Sequence, residues 1–375
     1  MSLTPTSSTE RLSLTQEQVE VIATLLAKMT ALGVKASPLQ HVTVGPIVSI
    51  YRFQPADATR VSTLEGLAGD FAVALGVEDV LVKRMTGDSA VGVFVPNKVR
   101  KSIGFLETTA NFWIRSTDMP LPLNMGITQT GDPLVEDLSK LPHLLIAGTT
   151  GSGKSTLLTT LITSLIARKN KDEVQLVLSD TKGVEFNSFK GIPHLLFPPS
   201  TDVETTLDQM SFLIDEMDSR LRAIGKAGWK NIHEYNIVAF KPFTYMVLVI
   251  DELADILLYK GEKRGETKIG QDKLNVLTQK ARASGIHIVA ATQRPSVNIV
   301  SGSIKANFPA RLTFRLPSGI DSRTVLGTEG AEHLLSQGDM LYTSPNSPSI
   351  IRAHAPLTRS IDIEATIDTI KRRTP

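Results

Sequence analysis

Apolar and polar positions follow two different rhythms along this chain, and the rhythm changes before residue 126. In the first part the spacing predicts a helix that opens on a capping box, Thr15-x-x-Gln18, and carries Val19, Ile22, Leu26 and Met29 along one stripe before stopping at Gly33. Residues 42–53 read as one strand broken at Gly45-Pro46, because proline cannot donate to a sheet ladder. A second box, Ser62-x-x-Glu65, opens a helix with Leu64, Leu67, Phe71 and Leu75 on one face and Gly76 past its end. Residues 80–84 and 90–95 then pair as a predicted hairpin turning at 86–89. Together these make a small α+β domain over residues 13–110, preceded by a Ser- and Thr-rich lead-in, residues 1–12, expected to be disordered.

Around Pro120 and Pro122 the period is lost, and residues 111–125 read as a linker. From 126 to 375 short apolar runs bounded by Gly, Asp or Pro (144–147, 174–179, 246–250, 286–291 and 311–316) alternate with helical spacing. Runs that are apolar on both faces fit strands of a parallel sheet covered by crossover helices. The first run enters a complete G-x-x-x-x-G-K-[ST] loop: Gly148, Thr149, Thr150, Gly151, Ser152, Gly153, Lys154 and Ser155, with Thr156 continuing into an apolar helix. The three glycines let successive N–H groups converge on one anion, and the helix turns its positive end to the same spot. These nine residues are the expected nucleotide site, with Lys154 on the β- and γ-phosphates of ATP and the Ser155 hydroxyl on Mg²⁺. Strand, loop and helix in this order predict an α/β, RecA-like P-loop domain with a parallel-type sheet.

Two further runs end in polar groups. The run 246–250 ends in Asp251-Glu252, and a buried strand that ends in two carboxylates needs cations or donors to meet them. Beside a phosphate loop, Asp251 is expected at the metal and Glu252 at the attacking water as general base. Gln293 ends the run 286–291 at the sheet edge where ligands gather, placed to sense the γ-phosphate, although a surface amide fits the same pattern. Arg282 stands ahead of that strand, away from its own phosphate loop. A guanidinium supplied across a subunit boundary would stabilise charge on the transferred phosphate, while the plainer reading on spacing alone is a solvated helix face.

Composition acts mainly by exclusion. The 375 residues include no cysteine, so there is neither a disulfide framework nor a thiolate metal site, which suits a reducing cytoplasm. No run approaches 18 apolar residues, and the N-terminus lacks both a basic start and an apolar core, so the expectation is a cytoplasmic chain with no membrane segment. The formal net charge of +2 is close to neutral, so a polyanionic partner would have to be met by locally gathered cations.

Several longer blocks go beyond nucleotide chemistry: Val95-Pro-Asn-Lys98, residues 141–155, residues 191–196, Asp251-Glu-Leu-Ala-Asp255, residues 279–287, residues 291–296, Ile304-Lys-Ala-Asn307, Ile320-Asp-Ser-Arg323 and residues 338–342. In these the chain resembles the motor region of the FtsK/SpoIIIE family of double-stranded DNA translocases, from about residue 40 to 355. The resemblance implies an α domain followed by a RecA-like ATPase domain using ATP and Mg²⁺. It further implies a homo-hexameric ring threaded by double-stranded DNA, with ATP sites at subunit boundaries. It makes Arg282 the arginine finger given in trans, and Arg294, Lys305 and Arg323 the pore-loop cations on the DNA backbone. Cations on phosphates give grip without sequence preference, as a motor running over any sequence needs.

The chain departs from the family pattern at Thr181, where relatives often have proline, and at Gly319, where they often have lysine; the charged stretch 259–268 also looks longer than usual. Membrane helices before the motor and a winged-helix domain after it, typical of cellular members, fit nowhere in this sequence. Both a stand-alone motor and an excised one are compatible with that. Two other functional classes share the nucleotide motifs: a protein-secretion ring ATPase, and a non-motor assembly factor that uses ATP only to close a ring.

Overall fold

A computed structural model describes residues 14–85, 89–99, 101–260 and 268–373. The expected lead-in over residues 1–12, positions 86–88 of the hairpin turn and positions 261–267 of the charged stretch lie outside the described residues. The chain divides into two compact units, Met1–Arg100 and Lys101–Pro375.

The first unit runs α1 (Gln16–Ala31), β1 (Ala36–Val44), β2 (Val48–Pro55), α2 (Val61–Glu65), α3 (Ala68–Leu75), β3 (Leu81–Arg84) and β4 (Val91–Pro96). Its strands form an antiparallel sheet in the order β1-β2-β4-β3. The capping box at α1 closes in both directions: the Gln18 N–H donates to the Thr15 hydroxyl oxygen at 3.3 Å, and the Thr15 N–H donates to Gln18 Oε1 at 2.9 Å. Leu25 and Met29 of α1 and Phe71 of α3 are fully buried with Phe53 of β2, so the helices cover one face of the sheet. Two readings of the sequence change here. Residues 42–53 are not one strand: Gly45-Pro46 is a turn, closed by the Gly45 N–H on the Val48 carbonyl at 2.9 Å, and the chain doubles back from β1 into β2. The helix expected from Ser62 to Leu75 is interrupted at Gly66, which leaves α2 and α3 as separate short helices.

The second unit begins with α4 (Phe105–Arg115), β5 (Pro122–Thr128), β6 (Pro133–Asp137), β7 (His143–Ala147), α5 (Lys154–Arg168) and β8 (Val174–Ser179). It continues through α6 (Val203–Lys226), α7 (Ile232–Val238), β9 (Tyr245–Ile250), α8 (Leu253–Leu258), α9 (Ile269–Lys280) and β10 (Ile286–Thr292). It ends with α10 (Gly302–Asn307), β11 (Ala310–Thr313), α11 (Gly319–Leu326), β12 (Asp339–Ser344), β13 (Ser347–His354) and α12 (Ser360–Arg373). The five apolar runs become β7 to β11, side by side and parallel in the order β8-β9-β10-β7-β11. Because side chains alternate across a strand, Leu144 and Ile146 of β7 join the cluster holding Leu157, Leu161 and Leu165 of α5. Leu145 and Ala147 join the one holding Met210 of α6 and Leu277 of α9. Each fully buried leucine contributes about 1.5–3 kcal/mol to this three-layer core.

The linker expected over 111–125 is corrected by the structure: α4 runs through Arg115 and β5 starts at Pro122, as parts of the second unit. The stripe on α4 is obscured in sequence because Leu106 and Ile114 are exposed while Thr108 is buried beside Phe105 and Phe112. Pro122 is tolerated because it is the first residue of its strand. β5 and β6 join β12 and β13 as an antiparallel extension, so the nine-stranded sheet is mixed rather than parallel throughout. Among the described residues no helix is long and apolar enough to cross a membrane.

Candidate nucleotide site

β7 lies between β10 and β11, and the loop 148–153 leaves its carboxyl end, at the kind of crossover point where sheets of this class bind ligands. Gly151 and Gly153 have φ of +76° and +117°, a region closed to side chains. A Cβ on Gly148 would meet Ser152 Oγ at 2.7 Å, and one on Gly153 would meet the Gly338 nitrogen at 2.9 Å, so close approach also requires glycine. No side chain caps α5 at Gly153, which leaves the first-turn N–H groups for an anion.

Lys154 and Ser155, consecutive on α5, each meet a carboxylate. Lys154 Nζ donates to Asp251 Oδ1 at 2.6 Å and to the Asp251 carbonyl at 2.9 Å, and both side chains are 2% exposed. The Ser155 hydroxyl donates to Glu185 Oε1 at 2.8 Å. Asp251 follows β9 directly, and the Asp251 N–H donates to the Ser179 carbonyl at the end of β8, so the loops after these two neighbouring strands converge on α5.

Glu252 is buried and held at both oxygens. Its Oε1 accepts from the Thr292 hydroxyl at 2.6 Å and the Ala254 N–H at 3.2 Å, and its Oε2 accepts from the Gln293 N–H at 2.9 Å. The Gln293 side chain accepts from the Thr150 hydroxyl at 3.0 Å, which ties the phosphate loop to the end of β10. Thr292 also accepts from the Arg294 N–H at 3.0 Å, so one hydroxyl touches both the carboxylate of Glu252 and the start of the following loop. The donor set of hydroxyl and carboxylate oxygens suits a hard cation such as Mg²⁺, and the loop has the form of a phosphate cradle, so the residues present fit both groups.

Of the expected site residues, the structure thus gathers 148–155, Asp251, Glu252 and Gln293, with Thr156 half-buried on the first turn of α5. Arg282 lies elsewhere. It is exposed, in the 3-10 turn Ala281–Ser284 before β10, and lines a cavity of about 690 Å³ together with Lys140, Lys230, Lys280 and His287. The seven residues of β10 put roughly 23 Å between that end of the strand and Gln293, so Arg282 does not serve the phosphate loop of its own chain. His287 and His143 stand at the same end of the sheet. Burial holds the imidazole of His143 down to about 3 and that of His287 down to about 4, so both are neutral near pH 7.

Among the described residues, no hydrogen bond or ion pair gathers the three expected DNA contacts into one cluster. Arg294 is exposed, and Lys305 is half-buried on α10. Arg323 forms an ion pair with Glu329, a partner that the sequence pattern did not suggest. Sequence reasoning also missed Glu185 and Thr292. The signal for Thr292 was its position between the apolar run and Gln293, and that for Glu185 was an acid shortly after a strand followed directly by Asp180.

The FtsK/SpoIIIE family model matches residues 108–297, half of the chain, and the FtsK alpha domain model matches residues 2–97. The chain belongs to the FtsK/SpoIIIE family. It is 38% identical over 355 residues to the DNA translocase FtsK of Helicobacter pylori strain J99, covering 93% of this chain and 41% of that one. With the DNA translocase FtsK of Agrobacterium fabrum it is 35% identical over 393 residues, covering 96% and 43%. The family member described here therefore spans about two fifths of the length of these curated relatives. Among solved structures, the pCW3 conjugation coupling protein TcpA, in its monomer form with ATPγS, superposes with a TM-score of 0.68 at 21% identity, over 95% of this chain and all of that one. The cytoplasmic domain of the Thermomonospora curvata type VII secretion ATPase EccC gives 0.58 at 23% identity, over 67% of this chain and 31% of that one. These likenesses establish the P-loop ATPase fold, as the sequence led one to expect.

Proposed function

We propose that this chain is an ATP-hydrolysing motor that moves along double-stranded DNA, working in the cytoplasm as a homo-hexameric ring with ATP at subunit boundaries. The observation that carries the reading is the constellation at the carboxyl ends of β7, β9 and β10. A phosphate loop, a buried Lys154–Asp251 pair and a fully held Glu252 are joined through Thr292 to Arg294. The DNA half of the reading is supported by family membership and by the name of the 38% identical relatives, DNA translocase FtsK.

Mg²⁺ bound at Ser155 and Asp251 would offset phosphate charge and polarise the transferred phosphoryl group. Lys154 has to release Asp251 to reach a phosphate, so ATP binding exchanges one ion pair for another and frees that carboxylate for the metal. Glu252 then takes a proton from water as the water oxygen bonds to the γ-phosphorus and the bond to the β-phosphate oxygen breaks. Loss of the γ-phosphate changes what Thr150 and Gln293 meet, and the contact of Thr292 with the Arg294 N–H offers a route from that change to the DNA-facing loop. Arg282, at the far end of β10, is assigned to the neighbouring subunit's ATP.

ATP hydrolysis is expected to rise severalfold with duplex DNA. The logarithm of DNA affinity should fall linearly with the logarithm of salt, and the slope should lose about one unit for each of Arg294 and Lys305 replaced by alanine. Arg323→Ala should change the slope less, because Glu329 already holds that guanidinium. Turnover indifferent to duplex DNA would favour the assembly-factor reading instead. Trans action has its own test: mixing Arg282→Ala with Lys154→Ala subunits should restore part of the activity, since each lacks a different half of a shared site. No recovery at any ratio would assign Arg282 to the solvated surface.

A further inference from the structure

The loop between β8 and α6 carries a carboxylate with no part in the reading above. Glu185 is half-buried, and its Oε1 accepts the hydrogen bond of the Ser155 hydroxyl at 2.8 Å. It is held there by a device of its own. Asp180, buried at the end of β8, accepts from the N–H groups of Gly183 at 3.0 Å, Glu185 at 2.6 Å and Phe186 at 3.1 Å, which wraps the loop around one carboxylate. Gly183, at φ +69°, makes the sharp turn possible, and Phe186 seals the loop into the core. The backbone carrying Glu185 is therefore fixed by a buried anchor rather than left to a surface loop.

A carboxylate beside a phosphate cradle is unfavourable unless a cation is shared nearby. The charge of Lys154 is already matched by Asp251, to which it gives two hydrogen bonds. The first two residues of α5 thus meet two carboxylates, Asp251 on Lys154 and Glu185 on Ser155, against one ammonium, which leaves one negative charge for a cation bound with the nucleotide to offset. A hydroxyl that binds a metal through its oxygen also needs somewhere to send its proton, and an acceptor on that proton orients the lone pair and raises the oxygen's donor strength.

We propose that Glu185 is a positioning residue of the Mg²⁺ site, accepting the Ser155 hydroxyl proton so that the serine oxygen faces the cation, with Asp180 as the anchor that holds Glu185 in place. This rests on the reading of residues 148–155 as a Mg²⁺–ATP site and adds a third acidic group to it.

The test is binding rather than turnover: titration of ATPγS into the full chain at a series of Mg²⁺ concentrations, and again in EDTA. Glu185→Gln is expected to raise the Mg²⁺ concentration needed for half-maximal tightening about 10–100-fold while leaving affinity in EDTA within threefold. Glu185→Asp, which keeps the charge but shortens the reach, should fall between. Starting from Ser155→Ala, adding Glu185→Gln should change the Mg²⁺ requirement little, because the carboxylate acts through that hydroxyl. Thermal unfolding of each variant separates a lost fold from a lost metal site. Should the wild-type chain fail to bind ATPγS at any Mg²⁺ level, the nucleotide-site reading itself falls. If wild type binds with a clear Mg²⁺ dependence that both Glu185 variants share unchanged, only this proposal is overturned.

Discussion

Lys154→Ala is expected to weaken ATP binding about 10–100-fold and to reduce turnover to background, because it removes charge-assisted hydrogen bonds to phosphate worth about 1.5–3 kcal/mol each. The same substitution should also destabilise the protein. Asp251 is 2% exposed and takes its short 2.6 Å contact from Lys154, so deleting the cation leaves a buried carboxylate unmatched. Breaking a buried pair from one side costs on the order of 3–5 kcal/mol. Lys154→Ala combined with Asp251→Asn should therefore recover most of the lost melting temperature without recovering nucleotide binding. Fluorescent-nucleotide titration and thermal unfolding on the same samples separate the two effects. Near-normal affinity in the single variant would remove the loop from the site.

Glu252→Gln should do the reverse, keeping nucleotide and losing chemistry. Three donors hold Glu252: the Thr292 hydroxyl and the Ala254 N–H on Oε1, and the Gln293 N–H on Oε2. A glutamine can keep the Gln293 bond through its carbonyl and donate its amide to Thr292 once that hydroxyl rotates, giving up only the longest of the three, from the Ala254 N–H at 3.2 Å, so fold and binding survive. What disappears is the group that takes the proton from water, a contribution of about 10²–10⁴ in rate. Single-turnover hydrolysis measured beside equilibrium ATP binding reads both numbers. Hydrolysis within a few-fold of wild type would mean that another group activates the water.

The parts of this molecule legible in the sequence were those where local chemistry dictates structure. The five parallel strands are apolar on both faces because both faces are covered, and the phosphate loop needs its glycines whatever surrounds it. Asp251 and Glu252 stood out because a strand as apolar as β9 ends in two acids. What stayed hidden depends on contacts between distant segments. α4 was missed because its buried face includes Thr108, whose hydroxyl accepts from the Asn124 amide, while Leu106 and Ile114 point outward. The antiparallel strands β5, β6, β12 and β13 mix polar with apolar residues, and only their mutual pairing identifies them as one sheet. Glu185 lies 30 positions from the serine it meets, and Thr292 lies 40 from Glu252, so neither spacing carries a signal in the chain. The pairing of Arg323 with Glu329 alters the expectation for one DNA contact in the same way, through a neighbour set by the turn after α11.

The central claim is that energy released at Lys154 and Glu252 moves DNA, and displacement of a third-strand oligonucleotide from long duplexes tests it most directly. With ATP, the account predicts a lag before displacement that lengthens in proportion to the distance between the entry end and the third strand, and no displacement by Glu252→Gln. Displacement at a time independent of that distance, or brisk ATP hydrolysis with the third strand left in place, would contradict it.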